Sequence, residues 1–337
     1  MKNILWVTTS QIANQGGVLT SAWASTRYRV IMPAYFLAAR NHNNSFLFAK
    51  EHFYSDELAS WHTQDVVIFS KSNHISNEQR AIVAKQRGIK VVFDLCDNYF
   101  DSKEQQDYAQ HCQSMIALAD TVTVNTPELA SVIEKYTGKK TIVIPDPYEY
   151  PQQPAYFQSA AKRLNLLWFG NYKNIDTLQS FIPKLTPLSA EIPITLHIVT
   201  KPNRGIEGAC ERFNTQSDNY QLTFSPWSLE ATQQAMQQAD IVIIPSLNSD
   251  VKTVKSPNRL IESVRSGRFV VAHPLPAYQE FAKWVWVQSD LVDGIRWALQ
   301  NPQQVVQNIQ TAQQYVSHQY SPERAGLLWE QVVNSEL

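Results

Sequence analysis

The chain has 337 residues, 29 Lys and Arg against 30 Asp and Glu, a formal net charge of -1, and 44% hydrophobic residues. That length suits two domains with full cores, and the charge balance argues against a dedicated nucleic-acid binder, which needs a basic surplus. Cys96, Cys112 and Cys210 lack metal-ligand spacing and read as reduced thiols in a reducing compartment.

The first apolar run, Ile4 to Val7 behind a single Lys, reads as a β-strand rather than a signal peptide. No stretch approaches the roughly 20 apolar residues of a bilayer-crossing helix. The expected location is cytoplasmic, with peripheral contact at a membrane left open. Further strands are predicted at 66–70, 91–95, 121–124 and 142–144. Between them a helix over 77–87 opens at Ser76 or Asn77 and closes at Gly88. Another over 127–136 has Thr126 as cap, Pro127 in its first turn and Gly138 past its end. Strands alternating with helices predict a parallel sheet covered on both faces.

Within this half, Gly16-Gly17 is either a turn or a close approach to a ligand. Arg27 and Arg29 follow at the start of a helical stretch, where they can hold an anion. Pro33 implies a kink or a later helix start. His74, after the strand at 66–70, is a hydrogen-bonding or proton-shuttling group, or else a surface residue. Asp94 and Asp97 stand at the end of a buried strand, either facing a ligand or capping the next turn.

Residues 145–154, PDPYEYPQQP, contain four prolines and read as a linker. Beyond it, strands are predicted at 164–169, 194–200, 221–224, 241–245, 269–272 and 285–287. Helices are predicted at 175–182, 229–239, 257–266, 291–300, 302–318 and 322–335. Gly170 lets the chain turn after its strand, and Lys173 offers a point charge. Lys201 and Arg204 are further basic loop residues or ordinary solvated ones. Trp227 suits base stacking or packing, and His273 follows a strand much as His74 does.

The rest of the chain is organised around 239–282. A buried strand leads into a polar loop and then Ser256-Pro257, a good N-cap and first helical residue. The free N–H groups of such a helix start suit a phosphate. Glu262, in the second turn, either bonds a ribose diol or is solvated.

Ala239-Asp240-Ile241, the run Ser256-Pro257-Asn258-Arg259-Leu260-Ile261-Glu262, and Gly267 followed by a strand resemble the donor-binding region of retaining group 1 glycosyltransferases of the GT-B fold, family 4-like. The resemblance implies an α/β chain of two doubly wound Rossmann-like domains facing across a cleft. Residues 1–150 would bind the acceptor and 151–320 the nucleotide-sugar, with 321–337 a C-terminal helix crossing back to the first domain. It implies transfer of a sugar from a nucleotide-sugar donor to a glycan or lipid-linked acceptor, in bacterial surface polysaccharide or glycoconjugate synthesis. The donor is a substrate, no cofactor or metal is expected, and no nucleic acid partner.

By the same resemblance, Glu262 contacts the ribose. Gly17, Lys173, Lys255, Ser256, Asn258 and Arg259 serve the donor, and Arg27 and Arg29 contact acceptor or phosphate. The run Val91 to Asp101 is similar to an aspartate-rich signature of bacterial glycosyltransferases. It implies Asp97, with His74, as catalytic groups, Asp97 as a hydroxyl contact or base. The family's partner Glu, eight residues before Glu262, is here Val254, near Lys252 and Lys255. That departure leaves two other readings: a degenerate GT-B module that binds without turnover, and a nucleotide-sugar epimerase of the same fold.

Overall fold

The computed structural model describes residues 1–49, 61–72, 74–101, 106–158, 162–202, 205–214, 217–247 and 249–336. The chain divides into two compact units. Unit 1 is Met1–Pro147, Ser249–Ser256 and Tyr320–Leu337; unit 2 is Tyr148–Asn248 and Pro257–Gln319.

Unit 1 is built on strands β1 (Asn3–Thr8), β4 (Asn43–Phe48), β5 (Val66–Ser70), β6 (Lys90–Leu95), β7 (Thr121–Val124) and β8 (Ile142–Val143). A short hairpin, β2 (Ala13–Gln15) and β3 (Val18–Thr20), stands apart. The sheet order is β4-β1-β5-β6-β7-β8, and every pairing is parallel. Chain order therefore reverses direction at β1, and the edge beyond β1 and β5 is the topological switch point where such sheets take ligands. β1, β5 and β6 are buried on both faces and largely apolar, as strands of a sheet covered on both sides are. One of these helices is Pro322–Asn334, whose Trp329 packs edge-on against Trp6 at 5.3 Å.

Unit 2 holds β9 (Leu164–Phe169), β10 (Ile194–Thr200), β11 (Tyr220–Pro226), β12 (Ile241–Ile244), β13 (Phe269–Ala272) and β14 (Trp286–Val287). Their order is β11-β10-β9-β12-β13-β14, again all parallel, with the switch point between β9 and β12. The two sheets are those expected of the two doubly wound halves.

Several local expectations need correction. The edge strand β4 was not predicted. Asn43, Ser45 and Phe48 are exposed, and its apolar part, Phe46-Leu47-Phe48, is short and preceded by three polar residues. Helices Gln106–Leu118 and Ile206–Asn214 were also unpredicted. The helix expected over 175–182 stops at Gln179 and resumes as a 3-10 turn containing Pro183. The strain that Pro33 implies is absorbed by a π-helical turn, Arg27–Ile31, ahead of the helix Met32–Ala39. A wider turn removes the need for the N–H that proline lacks. Among the described residues, no helix is long and apolar enough to cross a membrane.

Gly267 closes the helix Asn258–Arg265 with a φ of 73°, and a Cβ there would lie 2.0 Å from the carbonyl oxygen of Pro154. Gly267→Ala is expected to cost more than about 2 kcal/mol, since both the left-handed backbone and the contact oppose it. Urea unfolding would measure it, and a loss below about 0.5 kcal/mol would contradict the packing described.

Candidate functional site

In unit 2 the carboxyl ends of β9 and β12 lie side by side. Gly170 turns the chain after β9, its N–H donating to the Val199 carbonyl at 3.1 Å. A Cβ on Gly170 would sit 3.5 Å from Nη1 of Arg259 and 3.6 Å from Cζ2 of Trp168. Glycine here lets a guanidinium and an indole edge approach the backbone. Both groups end in buried donors without hydrogen-bond partners: Arg259 Nη1 and Trp168 Nε1. The Thr200 hydroxyl at the end of β10 is a third such atom. Buried polar groups are usually paired, so these three atoms, at the ends of β9 and β10 and the start of the neighbouring helix, mark a candidate ligand site.

Arg259 belongs to the first turn of Asn258–Arg265, whose first internal bond is Ile261 N–H to Pro257 O at 2.9 Å. The first-turn N–H groups ahead of it have no intrahelical acceptor. Lys173 is exposed on the 3-10 turn Tyr172–Asn174, which Asn171 caps through the Lys173 N–H. Gly170, Lys173, Asn258 and Arg259 thus lie on adjoining loops of one sheet edge. Arg204 lies outside the described residues.

Glu262 is differently placed from what was expected. Its carboxylate is 3% exposed and accepts the backbone N–H groups of Glu149 (2.6 Å) and Tyr150 (3.1 Å). It fastens the linker to the helix, and a ribose would have to compete with those two amides. Ser256 does not cap the helix. Pro257 is the N-cap residue with no side-chain bond, and the Ser256 hydroxyl donates to Asp146 Oδ2 at 2.7 Å within unit 1. The Asp146 carboxylate is a strong acceptor that holds the Ser256 hydroxyl away from the helix.

In unit 1 the hairpin explains Gly16-Gly17. Both have positive φ, 61° and 90°, as a two-residue hairpin loop requires. The Gly17 N–H is taken by Asn14 Oδ1. The expectation that Arg27 and Arg29 meet a ligand is corrected. Arg29 is 0% exposed, bonded to Asp94, Asp146 and the Ile144 carbonyl, with its guanidinium over the Trp329 ring. Burial opposes its charge, but Asp94 and Asp146 outweigh that and raise its pKa. Arg27, also buried, donates to the Ser21 carbonyl. Asp94, with Ser70 and Thr123 as further donors, is a structural anion. His74 caps the helix Ile75–Gln86 by accepting the Ser76 N–H.

Asp97 lies just past β6. Its Oδ2 meets Lys71 Nζ at 2.5 Å and its Oδ1 meets Lys255 Nζ. Burial would raise its pKa, but the two ammonium groups bring it below its ordinary value. A carboxylate so clamped is a weak base at neutral pH. Lys71 was not predicted at all; only its place directly after a buried strand could have flagged it.

A depressed carboxylate stabilises the fold above its ordinary value of 3.8, and the contribution is lost as pH falls through the folded value. Asp97→Asn is therefore expected to lower Tm at pH 7, with the difference from wild type shrinking below about pH 4. An undiminished difference in acid would contradict the ion cluster.

Val254 also has a physical reason. It is 1% exposed in the apolar cluster of unit 1, and its carbonyl accepts from Thr126 Oγ1 at 2.8 Å. A glutamate there would bury a charge among apolar groups.

Residues 163–314 match the family described as "Glycosyl transferases group 1". No curated protein sequence matches the chain. Among solved structures, Anabaena HepE in complex with UDP aligns over 100% of both chains at 13% identity with a TM-score of 0.74. The sucrose-phosphate synthase of Thermosynechococcus elongatus aligns over 98% of both at 12% identity and 0.68. S. aureus TarM, solved with Fondaparinux, alpha-GlcNAc-glycerol and UDP, aligns over 80% of this chain at 14% identity and 0.63. The aligned region spans only 55% of the TarM chain. At such identities the likeness speaks for the fold. Residues 163–314 are similar to group 1 glycosyl transferases, in a chain whose two six-stranded parallel sheets match structures of the GT-B fold.

Proposed function

We propose that the protein transfers a sugar from a nucleotide-sugar donor to a glycan or lipid-linked acceptor. Unit 2 holds the donor and unit 1 the acceptor. The observation that carries this is the buried, unpartnered Nη1 of Arg259 beside Gly170 at a helix start. A departing diphosphate gains charge, and fixed cationic and N–H donors in a dry site stabilise that charge without reorganising. Arg259, Lys173, the first turn at Asn258 and the indole N–H of Trp168 supply such donors. This chemistry needs neither metal nor cofactor.

The donor nucleotide is proposed to be UDP, because HepE and TarM were solved with it. The likeness of residues 163–314 to group 1 transferases supports retention of configuration, with a leaving-group oxygen taking the acceptor proton. Asp97, held as a paired anion, then orients rather than abstracts. The proposed setting is bacterial surface polysaccharide or glycoconjugate synthesis, at the cytoplasmic side and in peripheral contact with the membrane.

The buried Val254 and the engaged Glu262 favour one other reading, a module that binds a nucleotide without turnover. Incubation with UDP-sugars, with and without a glycan or lipid-linked acceptor mixture, separates them. Glycosylated product supports the transferase. An altered sugar nucleotide without acceptor would indicate an epimerase. Binding without any conversion would leave the inert module.

A further inference from the structure

A second polar cluster stands at the carboxyl ends of β5 and β6, next to the switch point of the first sheet, and the proposed donor chemistry does not use it. Lys71 follows β5 directly, with a φ of 54°, in the left-handed region that a residue with a long side chain rarely adopts. Its N–H is fixed by the Asp94 carbonyl at 2.9 Å. Backbone held in such a conformation concentrates at functional positions. The conformation places the Lys71 ammonium 2.5 Å from Asp97 Oδ2, while Lys255 reaches the other oxygen of the same carboxylate.

One carboxylate therefore gathers two ammonium groups and leaves one positive charge in excess. Cys96 adds no compensating anion, because burial pushes its thiol up to about 12. Asp94 is committed to Arg29, and Asp101 to Asn98 and Tyr136. The cluster is open to solvent, with side-chain exposures of 29% for Lys71, 18% for Asp97 and 43% for Lys255. Each ammonium carries three N–H donors, and Asp97 engages one from each. The remaining donors stand at the carboxyl edge of a parallel sheet, where such sheets take ligands.

We propose that Lys71 and Lys255, pre-positioned by Asp97, form an anion subsite that takes a phosphate group of the acceptor. The word acceptor rests on the transferase reading; the anion subsite does not. Two compact point charges match a phosphate dianion better than a single carboxylate.

The test is calorimetric titration of inorganic phosphate into the full chain saturated with UDP, with acetate titrated in parallel. It is run on wild type, Lys71→Gln, Lys255→Gln and the double variant. Phosphate affinity is expected to fall at least about tenfold in each single variant and beyond detection in the double, as expected for loss of a charge-assisted contact. Acetate should bind at least about tenfold more weakly than phosphate, and the UDP affinity of Lys71→Gln should stay within about twofold of wild type. Wild type that fails to bind phosphate overturns the subsite, as does a double variant that binds it equally well. Acetate binding as tightly as phosphate overturns phosphate as the ligand class. UDP and phosphate affinities falling together assign the lysines to the donor and overturn the acceptor role. If wild type does not bind UDP, the transferase reading fails, and titration without UDP still reads the subsite. Lys255 is the more exposed lysine, so Lys255→Gln keeps the test decisive even if Lys71→Gln does not fold.

Discussion

Replacing Arg29 with methionine is expected to destabilise the protein by about 3–5 kcal/mol, the range for breaking a buried ion pair from one side. The guanidinium is fully enclosed and holds Asp94 from β6 and Asp146 from the start of the linker, together with the Ile144 carbonyl. Methionine fills much of the volume but leaves two carboxylates facing each other without a cation. Asp94 keeps Ser70 and Thr123 as donors, and Asp146 keeps Asn125 and Ser256. These neutral donors do not replace a charge. Urea unfolding of Arg29→Met beside Arg29→Met/Asp94→Asn measures the effect. The double variant should recover part of the loss, since it removes one stranded charge. A single variant within about 1 kcal/mol of wild type would mean that the network is not the cornerstone described.

The second large effect is on activity. Arg259→Ala is expected to lower kcat/KM for the sugar-nucleotide donor by about 100- to 1000-fold, or roughly 2.7–4 kcal/mol of transition-state stabilisation. The fold should survive, because Arg259 Nη1 makes no bond within the protein and Gly170 needs no support from it. Lys173→Ala should cost less, since Lys173 is exposed and its charge is screened by solvent. Equal and small effects for both would move the diphosphate elsewhere.

The architecture was legible because it rests on buried strands. Val66–Ser70, Lys90–Leu95 and Ile241–Ile244 are buried throughout and built on apolar runs, and helices such as Pro127–Thr137 carry Thr126 and Gly138 as signposts. The edge strand Asn43–Phe48 escaped because it is only partly buried and half of it, Asn43-Asn44-Ser45, is polar. At the site, residue types were legible and their partners were not. Arg29 reads as an anion binder and is one, but its anions are Asp94 and Asp146, more than 60 residues away in sequence. Glu262 has the position of a ribose contact, yet its carboxylate is engaged by backbone amides of the linker. Lys71 carries no motif, and its backbone conformation emerges only in three dimensions. Partners across sequence distance are set by sheet order, which spacing does not encode.

The most direct test of donor binding at the Gly170 and Arg259 edge is a thermal-shift comparison of UDP, GDP, ADP and CMP on wild type and Arg259→Ala. A nucleotide at 100 times its dissociation constant adds about 2.7 kcal/mol of stability. The expected result is a clear shift for UDP with wild type that disappears in Arg259→Ala. No shift with any nucleotide, or a UDP shift unchanged by the substitution, would contradict the assignment.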